Sequence, residues 1–221
     1  MARTDRRRDT AFHEAGHAVA THFRPLSGRT LRVTIRRREA SPKTAGTHFR
    51  RPSLPTSHGG GLSVDREALS HLLISVLGGH AADVILRGPD SWSGAAGDFR
   101  AASQLLLEAD QWRLIDAASK EEGIPDLADI HDEELQRQVA ARAVEDLFFL
   151  IEAAISEAVG LLQEKWHAVE AVARGLLRRG TLSGDEVAVL IERAEERRAR
   201  KLQRGAPKWE AGVGDAPNPF D

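Results

Sequence analysis

The chain contains no cysteine. That excludes a disulfide framework and any thiolate metal site, so a zinc ion would have to be held by histidine and carboxylate. Charge of one sign is lacking too: 31 Lys and Arg stand against 33 Asp and Glu, a formal net charge of -2. That balance gives no electrostatic case for nucleic acid or an anionic membrane as the main partner. No run approaches the roughly 18 apolar residues of a membrane span. The most apolar stretch, LFFLIEAAISEAVGLL from Leu147, carries Glu152 and Glu157 and reads as a buried amphipathic helix. The opening MARTDRRRD is basic but has no apolar region behind it, so it does not read as a signal peptide. No internal repeat occurs. What is left is an ordinary soluble composition, 41% hydrophobic and 29% charged over 221 residues. That length suits one core with a helical extension, and the cytoplasm is the expected compartment.

Periodicity predicts a mainly α (α+β) chain. Residues 5–23 read as a helix, with Ala11, Phe12, Ala15, Val19 and Phe23 at helical spacing and Pro25 and Gly28 beyond. LRVTIRR, residues 31–37, alternates Leu31, Val33 and Ile35 against Arg32, Thr34 and Arg36, the pattern of a strand with one wet face. Residues 45–49 make a second short strand, and 50–61, rich in proline and glycine, a loop.

A further helix is expected from near Ser63, with a stripe of Leu69, Leu72, Leu73, Val76, Leu77, Ala81, Val84 and Ile85. Gly78 and Gly79 interrupt it, which close approach of another backbone would compensate. After a loop over 87–97, a helix is expected over 98–119, then a long helical stretch over 132–179 broken near Gly160. Ser183 and Glu186 form a capping box opening a last helix to about Arg204. Residues 206–221 read as a disordered tail.

The chemistry is concentrated in HEAGH, residues 13–17. Two histidines four apart on a helix share a face, so His13 and His17 can reach one ion. Glu14 is turned about 100° from His13 and cannot easily ligate that ion. It can reach a water on it, take the proton and pass it to a leaving amine. Chance gives roughly 0.03 such motifs in a chain of this composition. The third ligand is open on these residues. A metzincin site needs a glycine and a histidine where Ala20 and Phe23 stand, so that form fails. A thermolysin-like site needs a later glutamate, for which Glu67 and Glu108 are available. An aspartate at a helix start is the other option, and SGAAGDFRAAS offers Asp98.

Five segments in order resemble the peptidase domain of the FtsH family, the membrane-bound AAA+ zinc metalloproteases. HEAGHAV looks like its zinc helix, and LRVTIRRREASPKTAGTHF like its strand pair. LLISVLGGHAADVILRG is similar to its second helix, SGAAGDFRAAS to its third-ligand segment, and VARGLLRRGTLSGDEVAVLI to its C-terminal segment. The resemblance spans about residues 5–195 and implies a zincin-like fold.

It also implies a zinc-dependent metalloendopeptidase acting on unfolded or flexible proteins by Glu-assisted attack of zinc-bound water. Zn²⁺ would be held by His13, His17 and Asp98, with Glu14 as general base. Asp83, where the family has glutamate, would stand behind the ligands or be structural, with no firm role. Gly46 and Thr47 would lie on a strand whose edge receives substrate. The domain expected is 1–205, with the zinc-site part about 5–120 and the helical part about 130–204. No GxxxxGK[ST] occurs, so a free-standing domain without the ATPase module is expected. It would be served by a homohexamer or a separate unfoldase. A non-catalytic, zinc-stabilised assembly or partner-binding module is the alternative. Of the other histidines, His48 and His58 lie nearest the expected substrate strand.

Overall fold

The computed structural model describes residues 3–36, 46–50, 66–89, 91, 95–106 and 133–205. In chain order these form α1 (Arg3–Phe23), a 3-10 turn (Pro25–Ser27), β1 (Arg29–Thr34), β2 (Gly46–Arg50) and α2 (Arg66–Arg87). Then come α3, helical over 95–106, α4 (Glu133–Glu164), α5 (Trp166–Arg179), β3 (Thr181–Ser183) and α6 (Gly184–Gly205). The chain is mainly helical with one small antiparallel sheet of order β2-β1-β3.

The contact that builds the site is the crossing of α1 and α2. Ala11, Ala15, Ala18 and Val19 on α1 are fully buried. At the crossing, a Cβ on Gly16 would stand 2.3 Å from the Gly78 carbonyl oxygen, and one on Gly78 would stand 2.8 Å from that of Gly16. Only glycine at both positions lets the backbones touch, which offsets the helix propensity that Gly78 gives up. Two apolar clusters meet along α2. One joins α1, β1, α5, β3 and α6, with Ile74, Ala81 and Ala82 of α2. The other joins Leu72, Leu73, Val76 and Leu77 to Ala102, Leu105 and Leu106 of α3 and Ile151 and Ala154 of α4.

Several sequence expectations are corrected. The strand is Arg29–Thr34, not 31–37, and its register shifts between Thr30 and Arg32. That bulge turns Leu31 out to 44% exposure, while Thr34 is buried with its hydroxyl bonded to Thr181 Oγ1 at 2.8 Å. Arg36 donates to the Arg179 carbonyl at 2.8 Å and lies over Gly180, whose φ of 77° caps α5. The long helix breaks at Lys165 rather than at Gly160. The apolar stretch from Leu147 is only partly buried: Ile151, Ala154, Ala158 and Leu162 face the core, but Phe148 and Phe149 are exposed.

By length and hydropathy alone, α2 also qualifies as a membrane span, which the sequence reading did not find. Yet 67% of the qualifying stretch is buried among the other elements. The capping box is present as expected: Glu186 N–H donates to Ser183 Oγ at 3.2 Å and Ser183 N–H to Glu186 Oε2 at 2.8 Å. The loop expected over 50–61 loses Arg50 to β2, and its remaining residues, together with 107–119, the tail 206–221, Glu108 and His58, lie outside the described residues.

Candidate metal centre

α1 and α3 bring His13, His17 and Asp98 together, one ligand atom from each within 4.8 Å of the others. His13 Nε2 lies 3.3 Å from His17 Nε2. Asp98 Oδ1 lies 3.3 Å from His17 Nε2, and Oδ2 lies 3.5 Å from His13 Nε2. Zinc holds such ligands tetrahedrally at about 2.0–2.1 Å, which puts neighbouring donors about 3.3–3.4 Å apart. The His13–His17 and His17–Asp98 separations match that edge length, and the His13 contact, made to the other Asp98 oxygen, is slightly longer. Asp98 Oδ2 is buried without a hydrogen-bond partner among the described residues, as expected of an atom reserved for an ion. Asp98 sits three residues inside the described start of α3, so the expected helix start at residue 98 shifts by that amount.

Gly79 leaves the two donor nitrogens uncrowded. A Cβ there would lie 2.4 Å from His17 Nε2 and 2.6 Å from His13 Nε2, on top of both donor atoms. The sequence reading took Gly79 for backbone approach; that role belongs to Gly78, and Gly79 leaves room at the ligands.

Each imidazole is oriented from behind. Asp83, 1% exposed, accepts a hydrogen bond from His13 Nδ1 at 2.9 Å. The Ser75 carbonyl accepts one from His17 Nδ1 at 2.9 Å. The Gly79 amide also approaches His17 Nδ1, at 3.2 Å, but the shorter contact is to an oxygen that can only accept, so Nδ1 carries the proton. Both Nε2 atoms are then left with lone pairs facing the cluster. Arg87 Nη2 holds Asp83 Oδ1 at 3.0 Å, and its Nη1 approaches Asp9 at 3.6 Å. Asp83→Ala should weaken metal binding about 10- to 100-fold, measured by competition with a chromogenic chelator.

Electrostatics favour a charged pair in the metal-free chain. Burial lowers the His17 pKa, but Asp98, by charge and hydrogen bond, outweighs it and raises it to about 9. Burial likewise raises the Asp98 pKa, and His17 and then His13 bring it below its usual value. The backbone of His80 adds a hydrogen bond to that carboxylate, a contribution that sequence reasoning missed. Because His17's folded pKa exceeds its unfolded value of about 6.5, this proton stabilises the metal-free protein fully below pH 6.5. That stability is lost as pH rises through about 9. A metal must displace the same proton. Its affinity should rise roughly tenfold per pH unit up to about 9 and level off above, which chelator competition across pH would check.

Glu14 is 6% exposed, beside the two histidines on α1. Thr47 on β2 reaches it, with Oγ1 2.7 Å from Glu14 Oε2. Among the described residues β2 is an edge strand, paired on one side through Thr47↔Val33 and Gly46↔Thr34. Gly46 pairs with Thr34 and, among the described residues, is not part of the ligand cluster. Glu67 is exposed and outside the cluster, and His48 is exposed. A groove of about 1050 Å³ between α5 and α6, lined by Arg174, Arg193, Arg197 and Lys201, holds none of these residues. Ligand geometry, not cavity size, locates the site.

The profile of Peptidase family M41 matches residues 1–190. The chain belongs to that family. It is 31% identical over 193 residues to the ATP-dependent zinc metalloprotease FtsH of Thermus thermophilus, covering 84% of this chain and 29% of that protein. It is 28% identical over 196 residues to the FtsH of Neorickettsia risticii, covering 83% of this chain and 28% of that one. For FtsH 1 of Alkaliphilus metalliredigens the identity is 29% over 186 residues, 82% of this chain and 29% of the relative. The chain thus spans about three-tenths of the length of the curated relatives it matches. The likeness to the FtsH peptidase domain read from the five segments is borne out.

Proposed function

We propose that this chain is a zinc-dependent metalloendopeptidase hydrolysing peptide bonds in unfolded or flexible protein segments. The observation that carries this is the convergence of His13, His17 and Asp98, one ligand atom of each within 4.8 Å of the others, with Gly79 leaving both histidine donor atoms uncrowded. Zinc, when bound there, supplies Lewis acidity that acidifies water and polarises a carbonyl. The rest falls to the chain's own residues. Glu14 is the general base: its carboxylate takes a proton from the attacking water and returns it to the departing amine. Asp83 and the Ser75 carbonyl hold the imidazoles in the tautomer that leaves Nε2 free. Among the described residues β2 has one unpaired edge, beside Glu14, to which an extended peptide can hydrogen-bond as an added strand. A peptide must be extended to pair this way, so flexible segments are the substrate class. A homohexameric ring or a separate unfoldase would widen that class to folded proteins.

The test combines metal content with cleavage. Mass spectrometry should find about one zinc per chain in the wild type and little in Asp98→Ala. Unfolded casein should be cut by the zinc-loaded protein, with cleavage stopped by a chelator and restored by zinc. Zinc bound without any chelator-sensitive cleavage would replace the enzyme with a zinc-stabilised binding module.

A further inference from the structure

We infer that the Thr47 hydroxyl is the positioning residue for the general base, holding Glu14 through both of its protonation states. This rests on the peptidase reading above and names a residue on which that chemistry depends.

Thr47 Oγ1 lies 2.7 Å from Glu14 Oε2 and 3.2 Å from the Glu14 main-chain oxygen. A hydroxyl has one hydrogen and two lone pairs, so it can donate to only one of these oxygens at a time. While Glu14 is ionised, the carboxylate is the stronger acceptor and the shorter contact, a charge-assisted bond. That bond fixes Oε2 and leaves Oε1 as the atom that receives the proton of the attacking water. The proton moves from water oxygen to Oε1, and the Thr47 hydrogen stays where it is. Once Glu14 is neutral, its hold on that hydrogen weakens. Oε2, now the carbonyl oxygen of the acid, still accepts from the hydroxyl, which has the main-chain oxygen at 3.2 Å as its other acceptor. Glu14 therefore keeps a partner when charged and when neutral, and a buried carboxyl needs one in both states.

The side chain that does this comes from the sheet rather than from the metal helix. Thr47 pairs with Val33, which is fully buried in the same core as α1. β2 is thus anchored through β1 to the element that carries Glu14. The Thr47 side chain faces the base, which leaves its main chain for the strand edge expected to receive substrate.

The experiment uses the full zinc-loaded chain with a fluorogenic peptide. Thr47→Val keeps the shape and removes the hydroxyl. It should lower kcat about 10- to 100-fold, the loss of one hydrogen bond to a charged group, with KM within about twofold and zinc content unchanged. Thr47→Ser should retain activity within a few-fold of wild type. Wild-type kcat in Thr47→Val, a change in KM alone, or Thr47→Ser as impaired as Thr47→Val would each overturn the inference. A readout independent of cleavage guards against a silent enzyme. The Tm losses of Thr47→Val and Glu14→Ala should fall short of additivity in the double variant, because each removes the same bond. Simple additivity overturns the link even if the wild type cuts peptides. Non-additivity in a wild type that cuts nothing overturns the peptidase reading and leaves the link standing.

Discussion

Gly79→Ala should abolish zinc binding while leaving the helix that carries it intact. By local propensity the substitution is favourable: alanine in a helix interior is worth about 1 kcal/mol over glycine. The added methyl would lie 2.4 Å from His17 Nε2 and 2.6 Å from His13 Nε2. Carbon and nitrogen cannot approach so closely, so the methyl would crowd both donor atoms. To make room, the imidazoles would have to leave Asp83 and the Ser75 carbonyl, their orienting partners. Zinc affinity should fall by more than about 100-fold, the upper range for loss of ligand orientation, since here both donor atoms are crowded as well. Helical circular dichroism should hold, and cleavage should vanish with the metal. Stoichiometric zinc at wild-type affinity in this variant would place the ion elsewhere.

Glu14→Gln should separate binding from chemistry. Glutamine fills the same volume and can still accept from Thr47 through its carbonyl oxygen, so fold and zinc content should match the wild type. It has no carboxylate to take the proton of the attacking water. Cleavage should drop about 10²- to 10⁴-fold, the usual contribution of a positioned acid–base group. The pair of variants is informative together. Gly79→Ala loses zinc and activity, whereas Glu14→Gln loses activity alone. Retained cleavage in Glu14→Gln would remove the general base from the mechanism.

Much of the site was legible because its signals are local. HEAGH places both histidines on one helical face, and the ordered segments named Asp98 before the geometry did. Asp83, given by resemblance a place behind the ligands or a structural one, contacts His13. The parts that were not legible depend on tertiary contact. Nothing local in GGHAAD says that one glycine meets a backbone and the next faces two imidazole tips. The alternation of LRVTIRR failed because a bulge depends on the partner strand, not on the strand's own residues. β3 went unread because three residues between a glycine cap and a capping box carry no period of their own. Gly160 suggests a break by propensity alone. It lies exposed with nothing within 4 Å of its would-be Cβ, so α4 tolerates it and ends only at Lys165.

The two apolar clusters give the ion a mechanical meaning. His13 and His17 belong to α1, which is packed in one cluster, and Asp98 to α3, whose apolar face lies in the other. A metal bound by all three is a rivet through the seam between two cores. Each core keeps its ligands in place only while the other stays docked, so the metal site reports on the integrity of the whole seam. Damage to the packing of Leu105 or Leu106, far from any donor atom, would reach the chemistry through Asp98.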